Sequence, residues 1–494
     1  MRAAAVVAVI AVAAGGNRAR AQDWTTAGYD AQRTSWVRGA GKISAATLRQ
    51  PGFQLLWKLD LADASAGARV VTPPVLLDLL IGYRGFRALG FLGAPSDRVV
   101  AIDTDLGQVE WDRRFAPNAP PGRSPACARA LTPNVARPTS AALPTLIGGA
   151  SRAAQPARSA VGDAGEGAVT LAQLAARRRE APRPPPGQAP AAAPRPVPRP
   201  FSVLYVLTSD GLLHTLNVMN GADADAPVLF LPPRANARGL IVVDDVAYVA
   251  TSGGCGTARD GIWALDLEGK QVTTWPAPGA LAGPSGFAIA PDGMLYVATG
   301  DGSVIALEPR TLKPRRTYRS GGPGFVSSSV LFDHRGQLLI AGSTRDGRIR
   351  VLDGRRAVFT RTAVFAHTPA AALASWADTN DTRWLVAPGG TVVAWKVVQH
   401  DTVPALQAGW ESRAPPGPFA AAVVNDVVFV VARGARPSAP GVLYALDGAT
   451  GQELWNSGTA VPSGLGAGVS AGASQVYVAS GDGTLYAFGF PMEH

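Results

Sequence analysis

A short β-rich run, in most copies closing on Asp or Glu, returns eight times along this chain, and that recurrence limits the fold more than any other feature. The copies are VVAID (99–103), LLHTLNV (212–218), IWALD (262–266), VIALE (304–308), IRVLD (349–353), VVAWK (392–396), LYALD (443–447) and LYAF (485–488). Ala101, Thr215, Ala264, Ala306, Val351, Ala394, Ala445 and Ala487 mark equivalent positions, and the intervals between them are 114, 49, 42, 45, 43, 51 and 42 residues. All but the first suit a four-stranded propeller blade, which takes roughly 40–50 residues. The expected fold is therefore all-β, an eight-bladed propeller of antiparallel four-stranded blades.

Turn chemistry supports this. TSDG (208–211), RDG (259–261), TGDG (299–302), RDG (345–347), PGG (388–390) and SGDG (480–483) precede most copies. Asp-Gly suits the positive φ angles of a tight hairpin. Segments such as LYVATGDGSVIALE and VYVASGDGTLYAF thus predict a hairpin of two inner strands, with an outer strand after the next turn. Ala101, Asp103, Gly107 and Trp111 share their spacing with Ala445, Asp447, Gly451 and Trp455, whereas Gly269 and Trp275 fall one residue off. A blade cannot bury both faces alone, so these tryptophans are expected to wedge against neighbouring blades.

The last copy ends without an outer strand of its own, and LLWKLD (55–60) reads as an outer strand lacking a blade. Trp57 and its strand are expected to close the ring and remove its free sheet edges.

The long first interval predicts an insertion at about 116–200. Its second half, RRREAPRPPPGQAPAAAPRPVPRP (177–200), is too rich in Pro and Arg to build a core, and AVTLAQLAARRR (168–179) suits one short helix. At the other end, Arg2, the apolar stretch 3–14 and Ala19-Arg20-Ala21 form a signal-peptide pattern, with cleavage expected after Ala21. The stretch is too short to span a bilayer, and neither cysteine lies near enough to carry a lipid anchor. The expectation is a periplasmic or secreted monomer. Its net charge of +10 comes from scattered arginines without a basic stripe, so no nucleic-acid partner is expected.

The repeated A-x-D-x-x-x-G-x-x-x-W pattern with Asp-Gly hairpins resembles the pyrroloquinoline-quinone (PQQ)-repeat propellers, and DWTTAGYDAQRTSW (23–36) is similar to the start of their domains. The resemblance covers nearly all of the chain outside 1–21 and 116–200. That family holds quinoprotein dehydrogenases, a propeller lipoprotein of outer-membrane protein assembly, and propellers of no known activity. The dehydrogenase resemblance implies PQQ and calcium on the axis, a stacked Trp, an Asp base and often a disulfide between adjacent cysteines. Here the two cysteines, Cys127 and Cys255, lie 128 positions apart, and no C-x-x-C-H haem motif occurs. No Asp, Glu or Asn maps onto the calcium or base positions.

Local motifs add little chemistry. GVSAG (468–472) has the spacing of a nucleophile elbow around Ser470, but a strand follows it instead of a helix. His214, His334, His367, His400 and His494 show no zinc spacing. His214 is the histidine expected to come nearest the pore, although a hydrogen-bonded strand histidine is the simpler reading. WADTND (376–381) lacks the Gly and distal Glu of a calcium loop, and Asp244-Asp245 reads as a turn. SGGCG (252–256) is unusual, and a structural disulfide from Cys255 to Cys127 is favoured over a reactive thiol. The expected function is a noncatalytic module that binds a protein or small ligand at a loop face, with no cofactor. The alternative is a PQQ- and calcium-dependent dehydrogenase acting on an alcohol or sugar.

Overall fold

The structure, a computed structural model, describes residues 23–39, 41–62, 71–82, 85–115, 127, 132–142, 202–356, 358–359, 363–364, 369–400, 403–412, 417–433, 439–472 and 474–491. One compact unit comprises 1–143 and 200–494, and a second, 144–199, lies outside the described residues. So do the signal-peptide pattern and the helix expected at 168–179.

Eight antiparallel sheets make a propeller ring. Blade one is Val75–Gly82, Gly85–Ala94, Arg98–Asp103 and Gln108–Arg114, in that spatial order. Blades three to seven begin at Ala237, Ala288, Val330, Ala374 and Pro418. Blade eight takes Leu465–Ala471, Gln475–Ser480 and Thr484–Gly489 from the end of the chain. Its outer strand, Gln54–Asp60, comes from the beginning, with Trp57 opposite Ala487. The ring is thereby closed through backbone hydrogen bonds between segments more than 400 residues apart.

Two readings are corrected. The hairpins around the Asp-Gly turns are the second and third strands of each blade, because an additional strand, such as Ala237–Val243 or Leu465–Ala471, precedes each and lies innermost. The stretch 116–200 also contains part of the ring. Asn134–Ala136 is the first strand of blade two, paired with Val203–Leu207, and Pro138–Thr139 bridges in parallel to Val242 and Val243 of blade three. These strands are too short and too close to proline to show an alternating pattern.

Repeated residues have repeated jobs. Asp210, Asp301, Asp346 and Asp482 each accept a hydroxyl hydrogen bond from Thr208, Thr299, Thr344 or Ser480. The glycine that follows each of them has φ between 78° and 93°. The Asp of the A-x-D run caps the next turn: Asp103 Oδ1 accepts from the Asp105 and Leu106 amides, and Asp447 Oδ1 from those of Ala449 and Thr450.

The glycine four residues after Asp103, Asp447 or the equivalent Asn217 gives its neighbour's indole room. A Cβ on Gly107 would lie 2.5 Å from Trp57 Cγ, one on Gly221 2.7 Å from Trp111 Cε3, and one on Gly451 2.4 Å from Trp410 Cε3. Each indole Nε1 also donates to a carbonyl of the following blade: Trp57 to Thr104 (2.9 Å), Trp111 to Val218 (2.8 Å) and Trp410 to Gly448 (2.8 Å). Trp455 has a different environment, packing edge-on against Phe53 and Phe488 at 4.8 and 5.4 Å. Trp275 pairs with Ile262 instead of Ala264 and so sits two rungs along, on the same strand face. It shares a core cluster with Leu312, which has a φ of 52° at the position where blade one has Gly107.

Candidate functional site

The segment 24–37 runs along the inner strands of seven blades in ring order. The Trp24 carbonyl accepts from Leu76 N in blade one, and the Thr25 carbonyl from Arg137 N beside the first strand of blade two. Thr26 Oγ1 donates to the Leu240 carbonyl of blade three at 2.7 Å. Carbonyls of Ala31, Gln32, Thr34 and Ser35 then accept from Ile289, Leu331, Ser375 and Val423 of blades four to seven. Finally, Trp36 and Val37 bridge in parallel to Val423 and Val424. The segment forms an inner coil that occupies strand edges otherwise left open on the axis. Trp24, Thr26, Tyr29, Gln32, Arg33, Thr34 and Trp36 are all buried. Positive φ angles at Tyr29, Arg33 and Ser35 let so short a segment change direction.

Arg33 anchors the coil. Its guanidinium donates to the carbonyls of Ala27 (2.5 Å), Gly239 (2.8 Å) and Phe287 (3.2 Å) and to Thr26 Oγ1 (2.8 Å). Burial lowers its pKa to about 10, against the opposing effect of Asp30. Asp30 is itself shifted upward by burial, although Thr34 donates to it from both N (2.8 Å) and Oγ1 (2.6 Å). The arrangement holds the coil in place.

At the end of the ring with the Asp-Gly turns, Cys127 and Cys255 are disulfide-bonded, with Cα atoms 5.6 Å apart. The bond ties the connection between blades one and two to the 252–260 loop of blade three. Nearby in the ring, Asp97 of blade one accepts from Ser209 N of blade two at 3.0 Å and from the Ser209 hydroxyl. Burial raises the Asp97 pKa to about 6, more than the Ser209 hydrogen bonds lower it. A gap lined by Thr132, Asn134, Leu207, Thr208 and Leu231 holds about 10 Å³, room for one water.

Comparison places this geometry among known propellers. The sequence profile described as outer membrane protein assembly factor BamB matches residues 439–490. The structure is similar to quinohemoprotein alcohol dehydrogenase from Comamonas testosteroni, with a TM-score of 0.56 at 16% identity over 97% of this chain and 82% of that one. It is also similar to quinohemoprotein alcohol dehydrogenase ADHIIG from Pseudomonas putida HK5, with a TM-score of 0.59 at 12% identity over 96% and 81%. A europium-containing methanol dehydrogenase gives 0.54 at 12% identity over 95% and 98%.

The fold is a PQQ-like β-propeller.

No curated protein sequence matches the chain, and identities this low carry the fold alone. Within this PQQ-like propeller, the described residues contain no group of three or more His, Cys, Asp or Glu side chains suited to a metal ion. The disulfide joins loops of distant sequence, unlike the adjacent-cysteine bridge that the dehydrogenase resemblance implies. No helix among the described residues is long and apolar enough to cross a membrane.

The remaining motifs fall into structural roles. His214 lies on the third strand of blade two, away from the axis, with Nδ1 3.0 Å from Asp223 Oδ1 and its ring 4.5 Å from that of Phe115. Among the described residues, the histidine on an innermost strand is His334 of blade five. Ser470 is buried inside the strand Leu465–Ala471, without the turn and helix of a nucleophile elbow. Asp378 caps its own turn, accepting from Asn380 N, Thr382 N and Trp384 Nε1 at 2.9 Å. Asp244 and Asp245 form the turn between Ala237–Val243 and Val246–Thr251, both at positive φ. His367 and His494 lie outside the described residues. Sequence reasoning missed the inner coil and Trp410; the only cue to Trp410 is a Gly-Trp pair sixteen residues after Ala394.

Proposed function

We propose that this chain is a noncatalytic, extracytoplasmic binding propeller that receives a polypeptide or small ligand on the loop face at its Asp-Gly turns. One observation carries the reading: the coil 24–37 occupies the inner strand edges of seven blades, so recognition falls to the loops. The disulfide-tied loop at Cys255 supports a preorganised surface there. The BamB match over 439–490 favours a protein partner, and the pattern in residues 1–21 favours export. No cofactor is needed in this reading.

Titration of the purified chain from residue 22 with PQQ, with and without calcium, tests it by calorimetry. Absence of saturable binding, together with no dye-linked oxidation of alcohols or sugars, is the expected result. Tight calcium-dependent binding with turnover would replace this reading with a quinoprotein dehydrogenase.

A further inference from the structure

Two arginines meet one indole at the end of the ring opposite the Asp-Gly turns. Arg38 Cζ lies 3.8 Å from the Trp36 ring centroid, and Arg383 Cζ lies 5.4 Å from the same centroid and 6.0 Å from that of Phe332. Trp36 ends the inner coil against blade seven, Arg383 opens the second strand of blade six, and Phe332 belongs to the first strand of blade five. The cluster is therefore assembled from three blades and the amino-terminal segment.

Aromatic faces attract a guanidinium's charge but leave its in-plane N–H donors unused. The Arg383 guanidinium makes no hydrogen bond or ion pair with any described residue, and two rings lie beside it. The acids whose charges reach it, Asp333 and Asp381, do not pair with it; Asp333 Oδ1 instead accepts from Gly336 N. Two buried ring nitrogens nearby, Trp36 Nε1 and His334 Nε2, also have no hydrogen-bond partner. Arg38 and Arg383 each keep part of their surface in solvent at this end of the ring. Burial, and then the like charge of Arg38, lower the Arg383 pKa to about 10, which leaves it charged at neutral pH.

We propose that the Arg38–Trp36–Arg383 stack is a binding site for a small oxyanion, a carboxylate or phosphate group held by the Arg383 fork against the indole. An anion there fills the in-plane donors and offsets the repulsion between the two guanidiniums. The site lies at the other end of the ring from the loop face invoked above and does not depend on that reading.

Calorimetric titration of the mature chain with sodium malonate and with sodium phosphate, at constant ionic strength, tests this. Saturable binding of at least one anion is expected, weakened tenfold or more in Arg383→Gln and unchanged in Arg315→Gln, an exposed arginine paired with Glu308 elsewhere on the ring. Arg383→Lys keeps the charge but loses the fork, and is expected to bind at least fivefold more weakly than wild type. If Arg383→Gln does not fold, this second variant decides. No saturable binding of either anion by the wild type, or wild-type affinity in the folded Arg383 variant, would overturn the proposal.

Discussion

Trp57 belongs to the outer strand of blade eight, yet its indole Nε1 donates to the Thr104 carbonyl of blade one at 2.9 Å. The strand completes one blade while its side chain grips the next, so ring closure rests on both a backbone ladder and an aromatic contact over Gly107.

Trp57→Ala is expected to destabilise the fold by about 2–3 kcal/mol, somewhat below the cost for a fully buried ring because Trp57 is half-buried. Gly107→Ala should cost a similar amount in the wild type, since its Cβ would meet the indole and its φ is 65°. The steric part of that cost should vanish in the double variant. A double-mutant cycle by urea denaturation checks this, and simple additivity would mean that the two residues do not share a contact.

Arg33→Met should remove the hydrogen bonds to the Ala27, Gly239 and Phe287 carbonyls while retaining much of the side-chain volume. The expected loss is at least about 2 kcal/mol, because buried acceptors lose their donor. Hydrogen exchange should show faster opening around Gly239 and at the strand Ala288–Ile289 that follows Phe287; exchange unchanged from wild type would deny Arg33 its anchoring role.

Breaking Cys127–Cys255 frees a loop of 128 residues. The chain-entropy account sets the cost at about 5 kcal/mol. A Cys127→Ser, Cys255→Ser double variant should therefore melt well below the oxidised protein, and reductant should lower the wild-type Tm toward it without affecting the variant.

Asp97, raised by burial to about 6, holds its proton more tightly folded than unfolded. Its contribution is fully present below the unfolded value near 4 and is lost as pH rises through about 6. Two units correspond to about 3 kcal/mol. Between pH 4 and 7, the stability difference between wild type and Asp97→Asn should shift by that order in favour of the variant as pH rises. A pH-independent difference would place the Asp97 titration elsewhere.

The blades were legible in the amino-acid sequence because each is a local meander whose turns need particular residues. Asp103 and Asp447 cap turns two and three residues onward, and Asp210 and Asp482 organise hairpins within a few residues of themselves. Even the closing strand was visible, since a lone outer strand at 55–60 and a last blade without one complement each other. By contrast, Trp410 escaped because its blade has a long third and fourth strand, Val392–His400 and Val403–Ser412, which displaces the indole from the usual spacing. The first strands escaped as well, some being only two or three residues long, as in Ala288–Ile289 and Asn134–Ala136.

Local pattern thus determined the repeat and the turn chemistry, which depend on neighbours in sequence. The axial coil and the Arg38–Trp36–Arg383 stack were decided only by tertiary structure. The coil's hydrogen bonds run from carbonyls of 24–35 to amides as distant as Val423, and backbone groups leave no mark on residue identity. Arg383 comes to Trp36 only because ring closure sets blades five to seven around one amino-terminal segment.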